Sequence, residues 1–165
     1  MTRLANDILA TLPSLRRYAF ALTGHRRWGD HYIEIMLEAL LENQSWIGPG
    51  DDVRFKLYEL LHEAMEAVTI GISEPEDESD ALLVETRAHS GVLSLPLLER
   101  KMILLVLVEG FDLVQAATLV RLPLAEAKSH LDRAVGRLGS RVAMRPSVRH
   151  HRQLRFEPGE QARSA

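Results

Sequence analysis

Residues 124–138 read LAEAKSHLDRAVGRL and follow a proline, which favours the start of a helix. A shorter helix is predicted just before them, because Asp112 and Gln115 have the spacing of a capping box. Three or four residues would separate the two helices, as in a helix-turn-helix. Glu126 and Asp132 would repel phosphate, so this stretch alone does not decide whether the second helix reads DNA. Five of its side chains could face a duplex: Lys128, Ser129, His130, Arg133 and Arg137.

The composition is ordinary for a globular protein, with 165 residues, 46% of them hydrophobic and 26% charged. This length fits one domain or two small helical ones. The longest apolar run, residues 102–108, is too short to cross a bilayer, and Asp7 interrupts the only early apolar stretch. The absence of cysteine excludes disulfides and thiolate chemistry. We therefore expect no membrane association and a cytoplasmic location.

Charge is distributed unevenly along the chain. Residues 1–138 carry 14 basic and 21 acidic side chains, whereas residues 139–165 carry six Arg and two Glu. A domain that binds duplex DNA normally shows a basic face, which the first 138 residues do not indicate. The basic tail, residues 141–165, is predicted to be disordered. It either keeps the protein in solution or attaches loosely to nucleic acid.

Apolar residues have helical spacing nearly throughout, so the predicted fold class is all-α. We expect one small helical module over residues 1–70 and a second over residues 91–140, the second being the helix-turn-helix. The stretch SEPEDESD lies between them in an acidic linker, residues 71–90.

Two helix boundaries in the first module are predicted from single residues. Pro13 suits the first turn of a helix, so we expect two helices in this stretch. The first would start near Arg3, and the second would start at Pro13 and end at Gly24. Asp30 is expected to be the N-cap of the next helix. A further helix is predicted over residues 51–70, after the break at IGPGDD.

The order of motifs in the second module is specific. An apolar helix starts at Leu95 and Pro96, then come Glu109, Gly110 and Phe111, and then AKSHLDRA. In this order and spacing the module resembles region 4 of extracytoplasmic-function sigma factors. The resemblance implies that the last helix of this module corresponds to their recognition helix.

The first module contains LPSLRRYAFALTGHRRWGDHYIEIMLEALLE at residues 12–42. This stretch resembles the start of the PhyR family, the general-stress-response regulators of alphaproteobacteria. In that family a sigma-like domain precedes a receiver domain and imitates a sigma factor to an anti-sigma factor, NepR. The resemblance implies that this chain draws an anti-sigma factor away from the true sigma factor. After Arg141 the sequence is too short and polar for a receiver, so we expect partner binding without phosphorylation.

The helix predicted over residues 51–70 distinguishes a mimic from a working sigma factor. Promoter capture requires aromatic faces in a basic groove. The helix instead has Arg54 and Lys56 against five acidic residues, and its second half contains no basic residue. We therefore favour the mimic. The alternative is a divergent extracytoplasmic-function sigma factor that binds RNA polymerase core and promoter DNA.

Imitation of a sigma factor requires apolar side chains that receive an amphipathic partner helix. The alternative role of the same side chains is core packing. Our candidates are Ile33, Met36 and Leu40 in the first module and Leu119, Leu122 and Leu131 in the second.

Motifs for catalysis are lacking in the sequence. HEAME at residues 62–66 has a glutamate where the helical zinc motif needs its second histidine, and His150 and His151 are adjacent rather than suitably spaced. No phosphate-binding loop or nucleophile motif occurs. We therefore predict no enzyme activity, no metal, no cofactor and no small-molecule substrate.

Overall fold

The computed structural model describes residues 3–69, here called the first half, and residues 91–143, here called the second half. The two described halves contain helices and no strand, which confirms the all-α prediction. The first half contains α1 (Arg3–Thr23), α2 (Arg26–Glu42), a short 3-10 helix (Gln44–Trp46) and α3 (Val53–Thr69). The second half contains α4 (Leu97–Ile103), a π-helical turn (Leu104–Val108), α5 (Leu113–Leu119) and α6 (Leu124–Ala143).

The three long helices of the first half pack around one another. Leu15, Tyr18 and Leu22 lie on one face of α1 and are buried against α2 and α3. The first two helices approach closely at Gly29, where a Cβ atom would lie 3.0 Å from the backbone nitrogen of Phe20. A glycine therefore fits this crossing, whereas a Cβ atom would require the backbone of α1 to shift by a few tenths of an ångström.

Two predicted boundaries in the first half are wrong. Helix α1 continues through Pro13, because the helix has a buried face on the C-terminal side of the proline. Helix α2 begins at Arg26 with His25 in the N-cap position, so Asp30 lies inside the helix. The carboxylate of Asp30 instead accepts two hydrogen bonds of 2.7 Å from the guanidinium of Arg16. This pairing lowers the pKa of Asp30.

The predicted capping box in the second half is confirmed. The carboxylate of Asp112 accepts a 2.8 Å hydrogen bond from the backbone nitrogen of Gln115, whose side chain accepts one in return. Helix α6 packs against α4 and α5 through Ala127 and Ala134, which have no exposed surface. These alanines allow the last helix to lie close to the two helices before it.

Buried side chains of the two halves form one continuous hydrophobic cluster. The division into two modules therefore stays a prediction. The predicted acidic linker, residues 71–90, lies outside the described residues, and so does the predicted basic tail beyond Ala143. No helix in the described ranges is long and apolar enough to cross a membrane.

Candidate functional site

The helix-turn-helix consists of α5 and α6, separated by residues 120–123. Arg121 in this turn has a φ of 55°, which is the left-handed region. For a residue other than glycine this conformation costs about 1–2 kcal/mol. The surrounding contacts must offset that cost, and the side chain of Arg121 makes the most direct of them.

Arg121 connects the turn to the acidic face of α3. Its guanidinium lies 2.7 Å from the Glu63 carboxylate and 3.2 Å from the Glu66 carboxylate. These two glutamates are among the five acidic residues of the helix predicted over residues 51–70. Their side chains are about half exposed, but both pair with a cation from the second half. The spacing of residues along α3 gives no indication that Arg121 pairs with these two glutamates.

The five candidate DNA-contacting residues all have partners within the chain. Lys128 donates a 2.6 Å hydrogen bond to Asp132 one turn further along α6. The guanidinium of Arg133 contacts Ser129 at 3.2 Å and His130 at 2.9 Å. The positive charge at the start of this helix is therefore partly neutralised by its own neighbours.

Arg133 and Arg137 also share a buried carboxylate of α4. Glu99 is 3% exposed, and its two carboxylate oxygens each lie 3.4 Å from one of the two guanidinium groups. Since a buried carboxylate is stable only with nearby compensating charge, these two arginines balance the charge of Glu99. The same arginines line a cleft of about 430 Å³ with Ser94, Leu95, Gly136 and Ser140.

The predicted partner-binding side chains differ in their accessibility. Leu122 and Leu131 are partly buried, and the other four candidates belong to the hydrophobic core. A partner helix could reach those four only after neighbouring helices move apart. The core candidates are Ile33, Met36, Leu40 and Leu119.

His62, the first residue of the incomplete zinc motif, is buried and lies 2.8 Å from the hydroxyl of Tyr18. Burial is the largest cause that lowers its pKa, to about 3, and the charges of Lys101 and Arg121 add to the effect. The described ranges contain no group of three or more residues suited to holding a metal ion.

Sequence reasoning missed the contacts between the two halves. The side chain of Glu109 is 2% exposed and accepts a 2.6 Å hydrogen bond from the Tyr58 hydroxyl. Arg54 donates to the backbone carbonyl of Glu109, and its guanidinium lies 4.2 Å from the ring centre of Phe111. Glu109 and Phe111 were noticed only as parts of a motif, because nothing local indicates their partners.

Arg100 of α4 makes a second contact between the halves. Its guanidinium donates a 2.6 Å hydrogen bond to the carbonyl of Leu22, near the end of α1. The same group also donates to the carbonyls of Leu93 and Leu95. One arginine therefore satisfies backbone acceptors in both halves.

A comparison with known proteins shows what the first half is similar to. Residues 8–62 match the family model described as the sigma2 domain of PhyR. The PhyR resemblance predicted from the sequence is thus confirmed. The match ends at His62, so it covers α2 entirely and most of α3.

The phyllosphere-induced regulator PhyR of Methylorubrum extorquens is 26% identical to the chain over 139 residues. These residues are 84% of this chain and 50% of that regulator, so the chain spans half the length of this relative. PhyR of Bartonella quintana, an anti-anti-sigma factor crystallised with the anti-sigma factor NepR, has a TM-score of 0.62 and 26% identity. That match covers 84% of this chain and 50% of PhyR.

The fold is also that of a sigma factor. RpoE of Bartonella quintana, crystallised with the anti-sigma factor NepR, has a TM-score of 0.71 to this structure. The match covers 86% of this chain and 98% of RpoE, at 17% identity. At that identity it shows a shared helix arrangement over both halves. The PhyR sigma2 match stops in α3, whereas the alignments with the two PhyR proteins and with RpoE each extend into the second half.

Proposed function

We propose that this chain imitates a sigma factor, binds an anti-sigma factor of the NepR type and so releases the true sigma factor. The same fold occurs in a sigma factor and in an anti-anti-sigma factor that were each crystallised with NepR. Two proteins of one fold that bind one partner can compete for it. This function needs a shared binding surface and does not need DNA contacts. It also predicts a location in the cytoplasm, where transcription takes place.

The internal pairing of α6 is the observation that carries the proposal. Affinity for duplex DNA comes largely from Lys and Arg that neutralise phosphates. Arg133 and Arg137 already balance the buried Glu99, and Lys128 pairs with Asp132. The recognition helix therefore offers little uncompensated positive charge, which suits a protein surface better than a duplex.

A divergent extracytoplasmic-function sigma factor is the second candidate. The intact helix-turn-helix supports it, and so does the exposure of Lys128, whose side chain is 63% exposed. An exposed ion pair contributes only about 0–1 kcal/mol, so phosphate could replace Asp132 as its partner. Under this alternative the chain binds RNA polymerase core and promoter DNA.

The two candidates differ in their behaviour toward polymerase, whereas both allow anti-sigma binding. The test therefore combines the chain with a complex of a NepR-type anti-sigma factor and its sigma factor, and separately with RNA polymerase core. We expect the chain to displace the sigma factor and to leave the core unbound. The displaced sigma factor, added to the same core, is the positive control. A stable complex of the chain with core that initiates at a promoter would establish the alternative instead.

A further inference from the structure

Glu109 is a buried acidic side chain whose charge is balanced from the other half of the protein. Its carboxylate lies 3.7 Å from the guanidinium groups of Arg17 and Arg54, on α1 and α3. The hydroxyl of Tyr58 donates to the same carboxylate. All three of these side chains belong to the first half, whereas Glu109 belongs to the second.

The backbone around Glu109 is arranged to make this contact. The backbone nitrogen of Glu109 bonds the carbonyl of Leu104, five residues earlier, at 2.9 Å. Gly110 then turns the chain with a φ of 74°. The next residue, Phe111, places its ring 4.9 Å from the ring of Tyr58. Irregular π-helical turns of this kind are frequent at functional sites.

Glu99 provides an internal contrast. It is as deeply buried as Glu109, but its partners Arg133 and Arg137 lie in the same half. If the two halves separated, Glu99 would keep its partners. Glu109 would lose all of its side-chain partners and become solvated.

We propose that Glu109 is a latch that holds the two halves in the closed arrangement. The carboxylate is stable at this position only while Arg17, Arg54 and Tyr58 surround it, because a buried charge without partners is strongly unfavourable. In water the same carboxylate needs no partner. Loss of one of these contacts therefore shifts the equilibrium toward separated halves and uncovers the rings of Tyr58 and Phe111. The latch acts on the chain alone and is independent of what the chain binds.

The chain contains no cysteine, so two can be introduced as the sole labelling sites. Leu41 on α2 and Ala125 on α6 are exposed, one in each half. Spin labels at L41C and A125C report the distance between the halves by pulsed electron paramagnetic resonance. The variant E109Q keeps an acceptor for Tyr58 but removes the charge. E99Q is the matched control within one half.

We expect the ratio of long to short distances to rise at least tenfold in E109Q and to stay at the parental value in E99Q. Circular dichroism should show parental helix content in both variants. Y58F, which removes the hydroxyl alone, should shift the ratio in the same direction by a smaller factor. The latch is refuted if E109Q keeps the parental distances, if E99Q separates the halves equally, or if E109Q loses its helix content. Because no partner is added, these outcomes are independent of anti-sigma binding.

Discussion

The guanidinium of Arg121 lies 2.7 Å from the carboxylate of Glu63, across the contact between the helix-turn-helix and α3. This arginine has a left-handed backbone, in the turn where a glycine would be unstrained. The side chain of Arg121 thus makes a contact between the halves at a position whose backbone conformation favours glycine.

Substitutions of Arg121 separate these two effects. R121A loses the ion pairs and keeps the strained backbone, whereas R121G loses the pairs and relieves the strain. After allowance for the greater freedom of glycine in the unfolded chain, we expect R121G to be about 0.5–1 kcal/mol more stable than R121A. Urea unfolding followed by circular dichroism measures this difference. If R121A equals or exceeds R121G in stability, the turn is not left-handed in solution.

Because the pKa of the buried His62 is lowered, we expect the stability of the chain to depend on pH. Its folded pKa is about 3, below the value of about 6.5 in an unfolded chain. Between these two pH values the unfolded chain binds more protons than the folded chain. The contribution of His62 to the free energy of unfolding is therefore complete above pH 6.5 and is lost as the pH falls toward 3. In this range the free energy of unfolding changes with pH by at most about 1.4 kcal/mol per pH unit because of His62.

The variant H62Q should therefore lose less free energy of unfolding between pH 7 and pH 5 than the parent. The matched control is H31Q, since the side chain of His31 is 45% exposed. H31Q should follow the parental curve. Equal slopes for H62Q and the parent would mean that His62 is not buried as a neutral ring.

Local sequence signals predicted the second half better than the first. The capping box of Asp112 and Gln115 works within one helical turn, and it occurs as expected. Pro13 and Asp30 carry equally good local signals, but tertiary contacts override them. Helix α1 gains a buried face by continuing, and Asp30 gains an ion pair with Arg16, 14 residues away.

The contacts between the halves could not be predicted from the sequence. Tyr58 and Glu109 are 51 residues apart, and Arg121 and Glu63 are 58 apart. Periodicity shows which face of a helix is apolar. It cannot distinguish a face that packs in the core, such as that of Met36, from one that receives a partner. Four candidate contact residues proved to be buried for this reason.

Charge substitution separates core residues from contact residues among the candidates. Met36 is 1% exposed, so M36D should unfold the chain, because a buried carboxylate without a partner costs several kcal/mol. Leu131 is partly buried on α6, so L131D should leave the melting temperature within a few degrees of the parent.

We expect L131D to weaken binding of a NepR-type anti-sigma factor at least tenfold, as measured by calorimetry. The control is A125D on the exposed part of α6, which tests for a general effect of added negative charge. If L131D melts the domain as M36D does, Leu131 is a core residue. If it binds the partner with parental affinity, Leu131 lies outside the interface.

Binding of duplex DNA is the final prediction. We expect a dissociation constant of about 10⁻⁶ M or weaker at about 0.15 M salt, without sequence preference, as for non-specific binding. The described part of α6 pairs its cations internally, so most of the remaining affinity should come from the Arg residues of the tail. A chain truncated after Ala143 should lose most of its binding to a labelled promoter duplex in fluorescence anisotropy. K128A in the full chain should change it less than twofold, because the carboxylate of Asp132, 2.6 Å from Lys128, would repel phosphate. A nanomolar, sequence-specific complex that survives the truncation would show that α6 reads DNA and that the sigma-factor alternative is correct.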